Sequence, residues 1–475
     1  MTSLADAKDR VKAMLPWLVA IAFFMESMDT TVLNTAVPAI SKALSVTPLS
    51  MKAVLSSYTL SLAIFIPVSG WMADRFGTRR VFGSAIGLFT LASFLCGTTS
   101  DLHWLIACRV LQGCGGAMMV PVGRLTLVRT LEKSELVQAM SFVALPALIG
   151  PMIGPLIGGS IVAYLNWRYI FFLNIPIGVA GLALVFWKLP DYHEKIMRPL
   201  DWLGLVLFGS GVGLLSYVLE VFGEHHLGTW QDVILGIAAA ALIAGYGFYA
   251  VRAAYPLLDL SLFRVRSFSG AVAGGFVTRL GLGGIPFLLP LLYQVGLGLT
   301  PVQSGLLIMP QAIAAMGTKL LLPHVLAKLG YRKVLIFNTV LIGAVLMLFV
   351  TIGPGVPLWV VVLEALLYGA LTSLQYTSMN TLIYADIEKE RMSRASSMAS
   401  TLQQLSVSFG VAGAGLTAVL FLAAPSHGDA NAIVTGVHHA FLALGALTLV
   451  SSLVFAGLKS TDGDNETHHA DIHHA

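Results

Sequence analysis

The sequence predicts an all-α membrane protein with 14 transmembrane helices, built as two six-helix halves plus two inserted linker helices. Three observations predict it. First, 56% of the 475 residues are hydrophobic and 11% are charged, against about 25% charged in a soluble domain. So few charges cannot cover a globular protein of this length, and the mean hydropathy of +0.82 agrees. A soluble enzyme, a disordered chain and a nucleic-acid-binding module are excluded. Second, apolar runs of spanning length recur along the chain. Third, Lys and Arg segregate to alternate loops.

A spanning helix needs about 20 mostly apolar residues. That ruler places spans at roughly 14–37, 51–73, 81–99, 104–128, 136–160, 169–188, 200–220, 231–252, 268–294, 302–323, 333–352, 357–380, 395–421 and 437–458. The run from Met14 is too long for a signal-peptide core and lacks a small-residue cleavage site, so it reads as the first membrane helix. An even number of spans puts both termini on one side. With that side cytoplasmic, 21 of the 28 Lys and Arg fall on inward segments, and only Lys42, Lys52 and Arg168 face outward. Arg109, Arg124, Arg279 and Lys319 remain inside spans. A wrong count would scramble this asymmetry.

The chain also repeats itself. The segment Gly70 to Val81 follows the second span, and Leu326 to Val334 follows the tenth, the 302–323 run. Aligned, Gly77 meets Gly330, Arg79 meets Arg332, Arg80 meets Lys333 and Val81 meets Val334. Farther on, Gly113 matches Gly369 and Gly154 matches Gly410. The expected organisation is an N-terminal six-helix half over 1–190, two inserted linker helices over 191–255, a C-terminal six-helix half over 256–460 and a polar His-rich tail over 461–475. Two similar membrane halves point to a transporter.

Five motifs in order resemble the major facilitator superfamily, and more closely its fourteen-helix drug:proton antiporter branch. Gly70-Trp-Met-Ala-Asp-Arg-Phe-Gly-Thr-Arg-Arg80 is similar to the loop 2–3 motif. Leu105 to Ala117 is similar to the helix 4 motif with its buried arginine, Arg109. Gly150-Pro-Met-Ile-Gly-Pro-Leu-Ile-Gly-Gly159 is similar to the antiporter motif of helix 5. Met28 to Pro38 and Trp167 to Gly178 resemble further signatures of the branch. The likeness covers nearly the whole chain and is nearest to bacterial multidrug-resistance-like members. Many of those resemble one another in carrying extra acids in the C-terminal half; here the only acid within a span of that half is Glu364.

Glu26 and Asp29 lie three apart on the first helix and share a face. Each is costly in hydrocarbon and should face the bundle interior or a wet cavity. A carboxylate protonated on one side and emptied on the other couples a proton to cargo; the alternative is a static polar contact. Arg109 needs partners mid-span, either the helix 1 carboxylates or backbone carbonyls. Asp74, Arg75, Arg79 and Arg80, with Gly70 and with Gly77 at the turn, are expected to form a gating loop. Gly150, Gly154, Gly158 and Gly159 give a small-residue stripe that admits a close helix. Pro151 and Pro155 remove backbone donors and bend it, which suits a hinge or plain close packing. Phe24, Met25, Met118, Arg279, Glu364 and Tyr376 are expected to line a substrate cavity. Arg279 either favours anionic or zwitterionic cargo or is neutralised by Glu364. Lys319 snorkels.

Cys96, Cys108 and Cys114 read as bland thiols, with no disulfide between Cys108 and Cys114 and no metal site. The tail His468 to His474 has a metal-binding composition but reads as a floppy surface segment. No phosphate-binding G-x-x-x-x-G-K-[ST] run occurs, and no nucleophile–base constellation suggests an enzyme. No cofactor is expected, and the energy comes from a proton gradient. The partners are small amphipathic substrates, protons and the lipid bilayer, with no nucleic acid, and the protein is expected to be a monomer. The leading function is a proton-coupled antiporter that exports amphipathic small molecules or drugs across the bacterial inner membrane by alternating access. Export of one native metabolite and a non-transporting receptor are the alternatives.

Overall fold

Every regular element among the described residues of the computed structural model is helical. Those residues are 4–131, 133–189, 191–192, 199–221, 229–420, 430–459 and 461–462. The helices are α1 (Leu4–Ala43), α2 (Lys52–Phe76), α3 (Thr78–Thr98), α4 (Leu102–Thr130), α5 (Lys133–Tyr164), α6 (Tyr169–Phe172), α7 (Asn174–Lys188), α8 (Trp202–Val221) and α9 (Thr229–Ala250). They continue with α10 (Arg266–Leu282), α11 (Ile285–Leu291), α12 (Pro301–Leu348), α13 (Leu358–Leu382), α14 (Met392–Leu420) and α15 (Ala430–Ala456).

Among the described residues, thirteen candidate membrane spans are long and apolar enough to cross a bilayer. The remaining expected span, the fifth, falls on α5, a helix of 32 residues whose Leu148–Tyr164 part is the apolar stretch among the described residues. Two expected spans, 302–323 and 333–352, join end to end in α12, which breaks at Gly330. The expected span 268–294 is interrupted between α10 and α11 at Gly283 and Gly284, and closes with a π-turn at Leu292–Gly296. The His-rich tail from His468 lies outside the described residues, as do Lys195 and Arg198 of the 189–199 loop.

Sequence sets the helix starts. Asp101 caps α4 by accepting the Trp104 N–H at 2.9 Å. Thr300 and Gln303 form a reciprocal capping box at α12, with Pro301 as its first residue, where no N–H is needed.

The chain divides into two compact units, Met1–Trp202 and Leu203–Ala475. In the first, α1 lies against α5, α4 against both α2 and α3, and α3 against α7. Its core is filled by side chains such as Tyr58, Phe82, Phe89 and Met119. In the second, α10 lies against α14 and α15, and α12 against α13 and α15. Phe268, Phe287, Phe349, Phe441 and Phe455 fill it. The inserted helix α9 and nearly all of α8 belong to this second unit. Large apolar side chains remain outside, with Trp230 and Leu320 each 80% exposed. In water such a surface would aggregate; against lipid it is the solvated face.

Candidate functional site

The first unit encloses a charged cluster built by five helices. Asp29 of α1 and Arg109 of α4 are 2% and 1% exposed, so neither charge can be screened by water and each depends on the other. Arg109 Nη1 donates to Asp29 Oδ2 at 2.5 Å and to Gln112 Oε1 at 2.6 Å. Its Nε reaches the Val54 carbonyl at 3.4 Å, and its guanidinium stacks 4.2 Å from the Tyr58 ring centroid on α2. Gln112 Nε2 donates to Asp29 Oδ1 at 2.8 Å and to Ser93 Oγ of α3 at 2.9 Å. Asn174 Nδ2 of α7 donates to the same Asp29 oxygen at 3.1 Å. Arg109 therefore takes both kinds of partner that the sequence left open, a helix 1 carboxylate and a backbone carbonyl. Both Asp29 oxygens are occupied, one by a guanidinium and one by two amides.

Gln112, Asn174, Ser93 and Tyr58 escaped the sequence reading. Gln112 carried a usable signal: it follows Arg109 by three residues, on the same helix face. Asn174 is a polar residue in an otherwise apolar run, which is a weaker signal. Ser93 and Tyr58 carried none, since hydroxyls are common in spans.

Glu26 does not join the cluster. Its Oε2 is buried without a hydrogen-bond partner. Arg124 is the cation whose field reaches it, from a position 5.1 Å over the Phe23 ring. Phe24 is half-buried. Met25, expected to line a cavity, packs in the core instead, because it shares the buried α1 stripe of Leu18, Ala22 and Val32. Met118 is partly buried against the same core. Cys96 lies beside the cluster, with its Sγ 3.9 Å from Gln112 Oε1, and all three cysteines are free thiols.

The expected gating loop is a sharp turn between α2 and α3. Gly77 has φ 92° and ψ 144°, a conformation open essentially to glycine alone. Asp74 pairs with Arg129 at the end of α4, at 2.8 Å. The Arg79 N–H donates to Asp191 Oδ1 at 3.1 Å, and Thr78 exchanges two 3.1 Å bonds with the backbone of Tyr192. Thus residues 191–192 strap the start of α3. Arg75 and Arg80 are exposed. Gly70 is also exposed, and a Cβ there would meet nothing within 4 Å, so packing does not require glycine at that position.

The glycine stripe of α5 is the surface on which α1 rests. A Cβ added at Gly150 would collide with Ser27, at Gly154 with Thr31, and at Gly158 with Thr35 and the Val32 carbonyl. The two helices meet along matching four-residue ladders, with Thr31 Oγ1 donating to the Gly150 carbonyl at 3.3 Å. Pro151 is half-buried, Pro155 and Gly159 are buried, and α5 passes through both prolines as one helix. Asp29 lies on α1 between Ser27 and Thr31, the two residues that meet Gly150 and Gly154.

In the second unit Arg279 and Glu364 do not neutralise each other. Arg279 of α10 is 6% exposed; it donates to the Gly275 carbonyl at 3.4 Å and to Asn380 Oδ1 at 3.3 Å, over the Tyr376 ring at 4.8 Å. Glu364 lies toward the other end of α13, where it accepts from Thr351 at 2.8 Å and leaves Oε2 buried without a partner. Glu364 precedes Asn380 by 16 residues on one helix, about 24 Å along its axis. Lys319 is exposed on α12.

The chain is similar to known proteins in sequence and in fold. The family model described as Major Facilitator Superfamily matches residues 19–411. A putative multidrug resistance protein MdtD of Cronobacter sakazakii is 38% identical over 459 residues, 95% of this chain and 96% of that protein. The protein of the same name in Salmonella typhi is 37% identical over 453 residues, 94% and 95% of the two chains. Among solved structures, a POT family transporter in complex with 5-aminolevulinic acid superposes with a TM-score of 0.68 at 14% identity, over 95% of this chain and 96% of that one. The nucleoside transporter NupG gives 0.63 at 14% identity, over 94% and 98%. At such identity these structures speak for the fold alone.

Proposed function

The chain belongs to the Major Facilitator Superfamily, and from that premise we propose that it is a proton-coupled antiporter exporting amphipathic small molecules or drugs by alternating access. The MdtD relatives are named for multidrug resistance, which supports the drug class. The observation that carries the coupling is the buried Asp29 carboxylate held by Arg109, Gln112 and Asn174. In that embrace the ionised form is satisfied. Separating Arg109 from Asp29 leaves an uncompensated buried charge, and taking up a proton is its cheapest remedy. A conformational change that makes and breaks this pair therefore moves a proton. Glu26, three residues away with an unbonded oxygen, is the second group available to accept one.

The gradient supplies the energy, and no cofactor is required. The Lys and Arg asymmetry of the loops supports a bacterial inner-membrane location with both termini cytoplasmic. The protein works as a monomer in this reading.

The test uses everted vesicles with an acid interior and a pH-sensitive dye. Cationic, neutral and anionic amphiphiles are added in turn to wild type and to Asp29→Asn. Cargo-dependent proton release in wild type alone supports antiport through Asp29. Release from neither protein, with both folded, removes the antiporter reading.

A further inference from the structure

Two arginines are buried in the membrane helices to a similar degree, and they are treated differently. Arg109 has a carboxylate; among the described residues Arg279 has none, and its two bonds go to the neutral oxygens of Gly275 and Asn380. A guanidinium carries five N–H donors in a planar fork that matches a carboxylate or phosphate. Leaving such a fork in hydrocarbon without an anion is costly, and intramembrane charge is kept where it has work. The surroundings are arranged to hold the fork. Tyr376 lies beneath the guanidinium at 4.8 Å, and Asn380 Oδ1, its acceptor, is itself fixed by Gln403 Nε2 at 2.9 Å. A small, partly open pocket adjoins it, lined by Arg279 and Gln403 and by apolar side chains including Phe276, Ile383, Ala399 and Leu402. The lining contains no acidic side chain.

We propose that Arg279, with Asn380 and Gln403, forms an anion subsite inside the C-terminal unit that takes the carboxylate of an amphipathic organic anion or zwitterion. The guanidinium receives the oxygens, and the apolar walls receive the adjoining carbon body. As the cargo class of the exporter this rests on the reading above; as a binding site it stands on Arg279 alone. An anionic lipid headgroup and free phosphate offer the same oxygen chemistry, and the experiment separates them.

Purified full-length protein in phosphatidylcholine nanodiscs is titrated, with no pH gradient, with 4-phenylbutyrate, 4-phenylbutanol, 4-phenylbutylamine and inorganic phosphate. Binding is read by thermal shift or intrinsic fluorescence. The carboxylate should bind at least about tenfold more tightly than the alcohol, as expected for one charge-assisted pair. Arg279→Gln should erase that preference, and Arg279→Lys should keep part of it. Both variants should bind the alcohol and the amine as wild type does, which excludes misfolding. Equal affinity for acid and alcohol, or a preference that survives Arg279→Gln, overturns the proposal. So does saturation by phosphate alone at the affinity of the carboxylate, or loss of the preference in phosphatidylglycerol nanodiscs, which would assign the site to a free ion or a lipid. Because no gradient is used, an Asp29→Asn protein that has lost coupling should still show the preference. Failure of the antiporter reading and failure of the subsite are thereby distinguishable.

Discussion

Gly77 and Gly330 adopt nearly the same unusual backbone conformation, φ 92° with ψ 144° and φ 71° with ψ 160°, at equivalent breaks in the two units. Each ends one membrane helix and starts the next. The packing repeats with it. Gly113 lies against Ser61 and the Tyr58 carbonyl of α2, and its counterpart Gly369 against the Gln311 backbone of α12. Gly154 lies against Thr31 of α1, and its counterpart Gly410 against the Arg279 carbonyl and Gly283 at the end of α10. The internal repeat is thus a repeat of close approaches and not only of letters.

From this geometry, Gly77→Ala and Gly330→Ala should each destabilise the protein by about 1–3 kcal/mol, the usual strain of a side chain in that region. A Cβ at Gly330 would meet nothing within 4 Å, so its cost is conformational alone. Thermal melting in detergent checks this. A control Gly70→Ala, where a Cβ is also free and the residue is helical, should be neutral or mildly stabilising. Equal melting for all three variants would contradict the backbone argument.

Arg109→Lys should abolish cargo-dependent proton release while leaving expression intact. Lysine keeps a charge but cannot hold Asp29 and Gln112 together while reaching the Val54 carbonyl in one plane. Arg109→Leu should be worse, costing about 3–5 kcal/mol of stability, because Asp29 is left buried and unpaired. Vesicle assays beside melting curves separate the two effects. Full coupling in Arg109→Lys would mean that the pair is only structural.

Much of this was legible in the sequence because membrane physics is strict. Spans, charge asymmetry and the paired loops follow from the need to satisfy every backbone group in lipid. Asp29 and Arg109 stood out as charges in apolar runs. What could not be read was which neutral residues complete the cluster, since Gln112, Asn174 and Ser93 come from three different helices. The break between Gly283 and Gly284 was also hidden, because an apolar run has the same composition whether it is straight or interrupted. Arg279 was recognised, but its lack of an acid depended on the depth of Glu364, and depth is a property of the fold.

Asp74→Asn should reduce transport severalfold with little change in melting. The Asp74–Arg129 pair is partly exposed, 37% and 20% for the two side chains, so its worth to folding is about 1 kcal/mol or less. Its effect should appear in turnover, because it ties the turn at Gly77 to the end of α4. Arg129→Gln should match Asp74→Asn, and the double variant should be no worse than either. Additive losses would show that the two residues act separately.

Gly154→Ala should already impair transport and Gly154→Leu should abolish it, since even a methyl group meets Thr31. If the contact sets the depth of Asp29, Thr31→Gly in the Gly154→Ala background should restore part of the proton release, despite the roughly 1 kcal/mol that glycine costs within a helix. Rescue of melting without rescue of proton release would assign the stripe to packing alone.

Acid sensitivity should trace in part to Asp259, in the segment between α9 and α10. Burial works to raise its carboxyl, but hydrogen bonds from Ser261 and Arg391 outweigh it and hold the group below the usual carboxylate range. Arg394 adds a second cation at 3.0 Å. A group lowered on folding contributes stability above its unfolded value, about 4, and loses it as pH falls through the lower folded value. Wild type should therefore lose on the order of 1 kcal/mol between pH 5 and the folded value that Asp259→Asn does not lose. The variant should melt earlier at pH 7, and the two curves should converge in acid. Parallel curves across that range would show that the Asp259 cluster contributes nothing to the acid response.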